Sequence, residues 1–209
     1  MKPFEALEAI AAPIDNPNVD TDQLAPARFL RKPREDGYQN FLFHDLRFDQ
    51  EGVEIADFVL NQSAYRCAEI LVVNRNFGGG SSREQAVWCL VDYGVRCVIG
   101  SSFGDIFYNN AINHGLLLIK QSEQTCEALR AQIKAQPGAR MRIDLDKQQF
   151  TDVKGGVHPF EIEASRKKRL LIGLDEIGLT LQYADQLTSF EKGYRSKRPW
   201  LFDVRQQLK

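Results

Sequence analysis

The 209 residues carry 27 Lys and Arg against 28 Asp and Glu, a formal net charge of -1, with 43% hydrophobic and 26% charged side chains. That balance suits a globular domain with a real core and gives no electrostatic reason to expect a polyanion or a membrane surface as partner. No apolar run approaches a bilayer span and Met1–Glu5 leads into no signal-peptide core, so a single cytoplasmic domain over residues 1–209 is expected.

Phe4 to Pro13 is a mildly apolar stretch that reads as a helix edge or a strand, and Asp15-Asn16-Pro17-Asn18 is a turn by composition. Asp20 and Asp22 lack a nearby His or a third ligand, so a loop with Asx-type turns is preferred to a metal site. Residues 33–61 have the weakest periodicity in the chain, with Phe41-Leu42-Phe43, Phe48 and Phe58-Val59-Leu60 as apolar anchors. This stretch reads as an irregular excursion packed on the domain, with short helical pieces. His44 within it has no partner at a useful spacing and reads as a structural or surface residue.

The organising stretch runs from Ile70 to Lys120. Ile70-Leu71-Val72-Val73-Asn74 is a short apolar run ending at a Gly cluster, the pattern of a buried strand. Ala86, Val87, Leu90 and Val91 then recur on one face of a 3.6-period helix closed by Gly94. Val95–Ile99 is a second strand, Ser101-Ser102 opens a second helix through Ala111, and Leu116–Ile119 is a third strand after His114 and Gly115. His114 is read as a C-terminal residue interacting with the helix dipole. The result is a βαβαβ core with right-handed crossovers.

Beyond Lys120, Glu123 to Ala135 is an amphipathic helix stopped by Pro137-Gly138. Met141–Leu145, the run before Gly155-Gly156, and Val157–Ile162 make a C-terminal hairpin, with His158 unremarkable in it. Ala164 to Ile172 is a helix carrying Arg166-Lys167-Lys168-Arg169, a solvated face without the aromatic interleaving of a nucleic-acid site. Thr180 is expected to cap a last helix through about Phe190, with 197–209 as a tail. The helical part from about 164 to 209 forms a C-terminal appendage. Cys67, Cys89, Cys97 and Cys126 form no CxxC pair and read as plain reduced thiols.

The chemistry is expected at the two strand-to-helix junctions. A helix N-terminus offers unpaired N–H groups and partial positive charge, and Gly78-Gly79-Gly80 lets an anion approach that backbone. Ser81 with Glu84 fits a capping box, Ser102 with Asp105 a weaker one, and Arg83 adds a fork for a carboxylate or phosphate. The other reading is a flexible loop followed by a well-capped helix.

Asn76-Phe77-Gly78-x-Gly80-Ser81-Ser82-Arg83-Glu84 resembles the signature of the swivelling domain of the aconitase superfamily. Asn18-Val19-Asp20-Thr21-Asp22, Ser102-Phe103-x-Asp105-Ile106-Phe107-Tyr108 and Gly173-Leu174-Asp175-x-Ile177-Gly178-Leu179-Thr180-Leu181 agree in order and spacing. The match is to the separate small subunits of the isopropylmalate isomerase (3-isopropylmalate dehydratase) family. The resemblance implies an α/β fold, a swivelling β/β/α domain with the βαβαβ core and the additional hairpin and helices. It also implies a hydro-lyase of leucine biosynthesis, active only with a large subunit. That subunit would carry a four-iron iron–sulfur cluster, with no cofactor or metal bound by this chain and the substrate a small dicarboxylic hydroxy acid.

By motif position, Ser81 corresponds to the family's proton-abstracting serine, with Ser82, Arg83, Gly79 and Gly80 holding substrate oxygens. Phe29-Leu30-Arg31 occupies the loop said to discriminate substrates. Arg31 reads either as a contact to a polar or carboxylate-bearing side group or as a solvent-facing residue beside Lys32 and Arg34. The chain departs from common family residues at Gly79, Gln85, Val87, Asn109 and Leu118. Those departures leave open a paralogous subunit for another hydroxy diacid, or a non-catalytic anion-binding module.

Overall fold

The computed structural model describes residues 1–202, which fall into two compact units, 1–173 and the part of 174–209 that is described. The first unit is built on one seven-stranded sheet. Its strands are β1 (Leu7–Ile14), β2 (Ile70–Val73), β3 (Cys97–Gly100), β4 (Leu117–Lys120), β5 (Arg140–Asp144), β6 (Gln149–Thr151) and β7 (Val157–Pro159). They lie in the order β4-β3-β2-β1-β5-β6-β7. The apolar stretch near the N-terminus is thus a central strand. Its first half, Leu7–Ile10, pairs antiparallel with β5, and its second half, Ala11–Ile14, pairs parallel with β2. β2, β3 and β4 continue in parallel, and every residue of β2 and β3 is buried, as befits strands covered on both faces. Beyond β5 the sheet runs antiparallel through the expected hairpin.

Eight α-helices are described: α1 (Thr21–Leu24), α2 (His44–Arg47), α3 (Glu84–Tyr93), α4 (Asp105–Asn113), α5 (Glu123–Ala135), α6 (Ala164–Ile172), α7 (Glu176–Leu181) and α8 (Ala184–Lys197). None is long and apolar enough to cross a membrane. α3 and α4 are the two crossovers of the βαβαβ core, and α5 packs on β1, β2 and β3. The excursion folds as short helical turns whose aromatic residues enter the core, and Tyr38 lies edge-on to Trp88 of α3. The basic face of α6 is spent inside the unit. Arg166 donates to Asn109 at 3.0 Å and lies over the Tyr108 ring, and Arg169 donates to Asn113, all on α4.

Two expected boundaries move. The second helix opens at Asp105, not at Ser101-Ser102, because the Ser102 hydroxyl accepts the Asn76 N–H at 2.8 Å and holds those residues in the loop. Thr180 lies inside α7, whose cap is Asp175 accepting from the Gly178 N–H at 2.7 Å; the last stretch is two helices. The tail expected at 197–209 lies outside the described residues from 203 onward.

Candidate functional site

Ligands of α/β sheets bind outside the carboxyl ends of parallel strands, and three loops leave that edge side by side here. The loop after β1 pairs with the loop after β2: Asn18 N–H donates to Arg75 O at 2.9 Å, Gly78 N–H to Val19 O at 2.7 Å, and Thr21 N–H to Gly79 O at 3.0 Å. The loop after β3 joins from the other side, with Phe77 N–H on Ser102 O at 3.1 Å and Gly104 N–H on Phe77 O at 3.0 Å. The glycine loop therefore lies between the other two.

Local backbone conformation explains its residues. Gly78 has φ +71°, and a Cβ there would stand 2.3 Å from the buried Phe107 ring. Gly104 lets the Gly78 carbonyl pass, since a Cβ on it would meet that oxygen at 2.4 Å. Asn18 and Asn76 both take left-handed conformations and hydrogen-bond each other at 3.1 Å, a use of asparagine's tolerance for φ > 0.

Ser81 and Ser82 are exposed. The expected Ser81–Glu84 capping box does not form. α3 begins at Glu84 with Arg83 as its N-cap and no side-chain cap bond. The cause is Thr21, whose hydroxyl donates to Ser81 O at 2.9 Å and, with the backbone pairing of Asp20 and Gly79, holds Ser81 off the helix. Glu84 turns instead to His114, 2.6 Å from its Nε2, so His114 serves as a side-chain partner for the start of α3 as well as the C-cap of α4. Among the described residues the Ser81 and Ser82 hydroxyls and the N–H groups of Gly80, Ser81 and Ser82 have no hydrogen-bond partner. With the open first turn of α3 they form a cluster of free donors.

Arg83 is largely buried, its side chain 14% exposed, and Nη1 is held by Asp22 and, at 3.4 Å, by the Ala25 carbonyl. The loop after β1 thus fixes the orientation of the guanidinium. Gly79 and Gly80 stand where expected, in the bend before Ser81. Arg31 is exposed and has no hydrogen bond or ion pair to the glycine loop among the described residues, so the structure does not bring it together with Ser81–Arg83. Sequence reasoning missed Thr21, Ser102 and the Asn18–Asn76 pair as supports, because each acts across 26 to 60 residues of chain.

Cys89, Cys97 and Cys126 are buried in separate elements, and burial pushes their thiols up, to about 12 for Cys89 and about 11 for Cys126. Among the described residues no cluster of three His, Cys, Asp or Glu forms a metal site. This donor set does not fit an iron–sulfur cluster, which needs converging thiolates.

The aconitase C-terminal domain family matches residues 1–124, the part that holds all three loops. The family of the C-terminal domain of 3-isopropylmalate dehydratase small subunits matches 176–204. The 3-isopropylmalate dehydratase small subunit of Afipia carboxidovorans is 46% identical over 96% of this chain and 100% of its own length. This chain belongs to the 3-isopropylmalate dehydratase small-subunit family. The small subunit from Leptospira interrogans is 45% identical over 98% of this chain and 100% of its own. The crystal structure of 3-isopropylmalate dehydratase from Methanocaldococcus jannaschii has the same fold, with a TM-score of 0.63 at 26% identity, over 89% of this chain and 99% of that one. Membership makes the chain a subunit of a hydro-lyase in the aconitase superfamily, one half of a two-subunit enzyme with a large-subunit partner.

Proposed function

We propose that the three-loop edge is half of the active site that isomerises 2-isopropylmalate to 3-isopropylmalate in leucine biosynthesis, with Ser81 as the proton-abstracting group. The observation that carries the reading is the exposed, uncapped Ser81 hydroxyl beside the free N–H groups of Gly80, Ser81 and Ser82 at the start of α3. A serine hydroxyl is a poor base unless its alkoxide is stabilised, and N–H donors, a helix N-terminus and a nearby guanidinium favour that anion. Ser81 takes the proton α to a substrate carboxylate. Ser82, the Gly79–Gly80 backbone and Arg83 hold the carboxylate oxygens, with Asp22 aiming Arg83 from behind. Loss of the hydroxyl gives an alkene, and return of water at the neighbouring carbon gives the isomer.

Activation of the leaving hydroxyl is assigned to the large subunit, together with the four-iron iron–sulfur cluster. The Ser81 face is open, which supports a site completed by that partner, as a heterodimer or a heterotetramer. We assign the complex to the cytoplasm, and we assign the chain to a single aconitase-swivel-like domain with a C-terminal helical appendage.

Arg31 supports a second reading, in which the subunit serves a related diacid with a polar or charged side group. Its exposed guanidinium faces solvent rather than an ion-pair partner. The test is alkene formation by the two chains together, with the cluster reconstituted without oxygen, on 2-isopropylmalate and a panel of substituted malates. Turnover that requires both chains and favours 2-isopropylmalate supports the main reading. Turnover on another diacid, altered by Arg31→Ala, supports the second. A stable complex with an intact cluster and no turnover on any diacid refutes both.

A further inference from the structure

Arg130, on α5, is a nearly buried cation, 7% exposed, and a buried charge is retained only where its partners repay desolvation. Its Nη1 donates to the Val73 carbonyl at 2.9 Å, and its Nε lies 3.3 Å from Asp15 Oδ1. Val73 is the last residue of β2 before the glycine loop, and Asp15 is the first residue beyond β1 before the Asn18–Asp22 loop. Ile14 and Val73 are register partners, so one guanidinium spans the two adjacent strand ends. Lys134, one turn further along α5, holds the other Asp15 oxygen at 2.5 Å. The Asp15 carbonyl accepts the Asn74 side-chain amide at 2.7 Å, and Asn74 Oδ1 accepts the Arg75 N–H at 2.8 Å. Glu123, in the first turn of α5, lies 3.5 Å from Arg75.

We propose that Arg130 is a positioning residue for the reaction: from behind the sheet it locks the departure of both site loops, and so fixes where Ser81 stands against the substrate. A lysine there would supply charge at one point, whereas the planar fork reaches a carbonyl and a carboxylate on different strands at once. The proposal rests on the reading of Ser81 as the proton-abstracting group.

The experiment compares Arg130→Met, Arg130→Lys and Asp15→Asn in the assembled two-subunit enzyme by steady-state kinetics and by amide hydrogen exchange. Displacing a catalytic group by about 1 Å costs on the order of 100-fold, so Arg130→Met is expected to lower kcat by about 10- to 100-fold. KM should change by a smaller factor than kcat, because Arg83 keeps its own anchors on Asp22 and the Ala25 carbonyl. Exchange should rise across 74–83 while 70–73 stays protected. Arg130→Lys should recover part of kcat, and Asp15→Asn, at a half-exposed position, should fall between. A wild-type kcat in Arg130→Met overturns the proposal, as does a loss matched by faster exchange across the whole sheet. If Arg130→Met does not fold, wild-type kcat in both other variants overturns it. Ser81→Ala run in parallel separates the two claims: retained activity there defeats the reading of Ser81, while the exchange and kcat of the Arg130 variants still judge the brace.

Discussion

Alanine at each of the three loop glycines separates torsional strain from steric conflict. Gly78→Ala combines both. Its φ of +71° costs a side chain about 1–2 kcal/mol, and overpacking a buried site costs about 1–3 kcal/mol more, about 2–5 kcal/mol in all. The steric part is not relieved by a small shift, because the Cβ would meet Phe107 at 2.3, 2.5 and 2.7 Å, and that ring is buried edge-on against Phe77. Gly80→Ala carries only the torsional part, about 1–2 kcal/mol, since its nearest neighbour would be Thr21 Oγ1 at 3.6 Å. Gly79 has no positive φ, and its Cβ would press only on the exposed Asn76 side chain at 3.0 Å, so its cost should stay below about 1 kcal/mol. Urea unfolding of the three variants reads the order directly. Phe107→Leu in the Gly78→Ala background should cost less than the sum of the single changes, a coupling that marks direct contact. Gly78→Ala no more destabilising than Gly80→Ala, or simple additivity with Phe107→Leu, would refute the close approach of the loop to α4.

Asp152 should govern part of the acid limb of stability. Burial alone would raise its carboxyl, but hydrogen bonds from His158, the Gly156 N–H, Gln132 and the Lys154 N–H outweigh burial and hold it below its ordinary value. Its contribution is therefore present above the unfolded carboxylate pKa and lost as pH falls through the lower folded value. Asp152→Asn should flatten the fall of Tm below about pH 4, and an unchanged acid limb would contradict this. Thiol labelling should be confined to Cys67 in the native chain, because the other three thiols are buried and pushed up. Mass spectrometry should count one adduct per native chain and four after denaturation; rapid native labelling of Cys89 or Cys97 would contradict the packing. Asp175→Ala should cost about 1 kcal/mol of local stability by removing the cap on Gly178 N–H, read as faster amide exchange over α7, whereas Thr180→Ala should not remove that cap.

The sequence made local elements legible and long-range pairing illegible. Helices α5 and α6 fall on the residues their periodicity marks, because amphipathic spacing and a Pro-Gly stop act within a few residues. The central place of β1 was hidden. Its Ala-rich Leu7–Ile14 run is compatible with strand or helix, and what makes it the hub is pairing with β5 and β2, more than 50 residues away at the least. The position of the glycine loop is legible from Gly78, Gly79 and Gly80 between an apolar run and a helical pattern, and the structure puts it between β2 and α3. The capping box was visible too, but misleading: Ser-x-x-Glu scores a local bond that Thr21 removes from a distance. His158 is illegible for a different reason: its partner Asp152 is only six residues away, but it is the hairpin turn between them that brings the two side chains together.

The most direct test of the account is Ser81→Ala in the assembled enzyme, with kcat for alkene formation and unfolding free energy measured on the same preparation. An exposed, uncapped serine should leave stability within about 0.5 kcal/mol of the parent. Loss of the proton-abstracting group should lower kcat by at least about 100-fold. Turnover close to the parent's, or a stability loss of about 1 kcal/mol without a kinetic defect, would contradict the account and return Ser81 to the role of a helix cap.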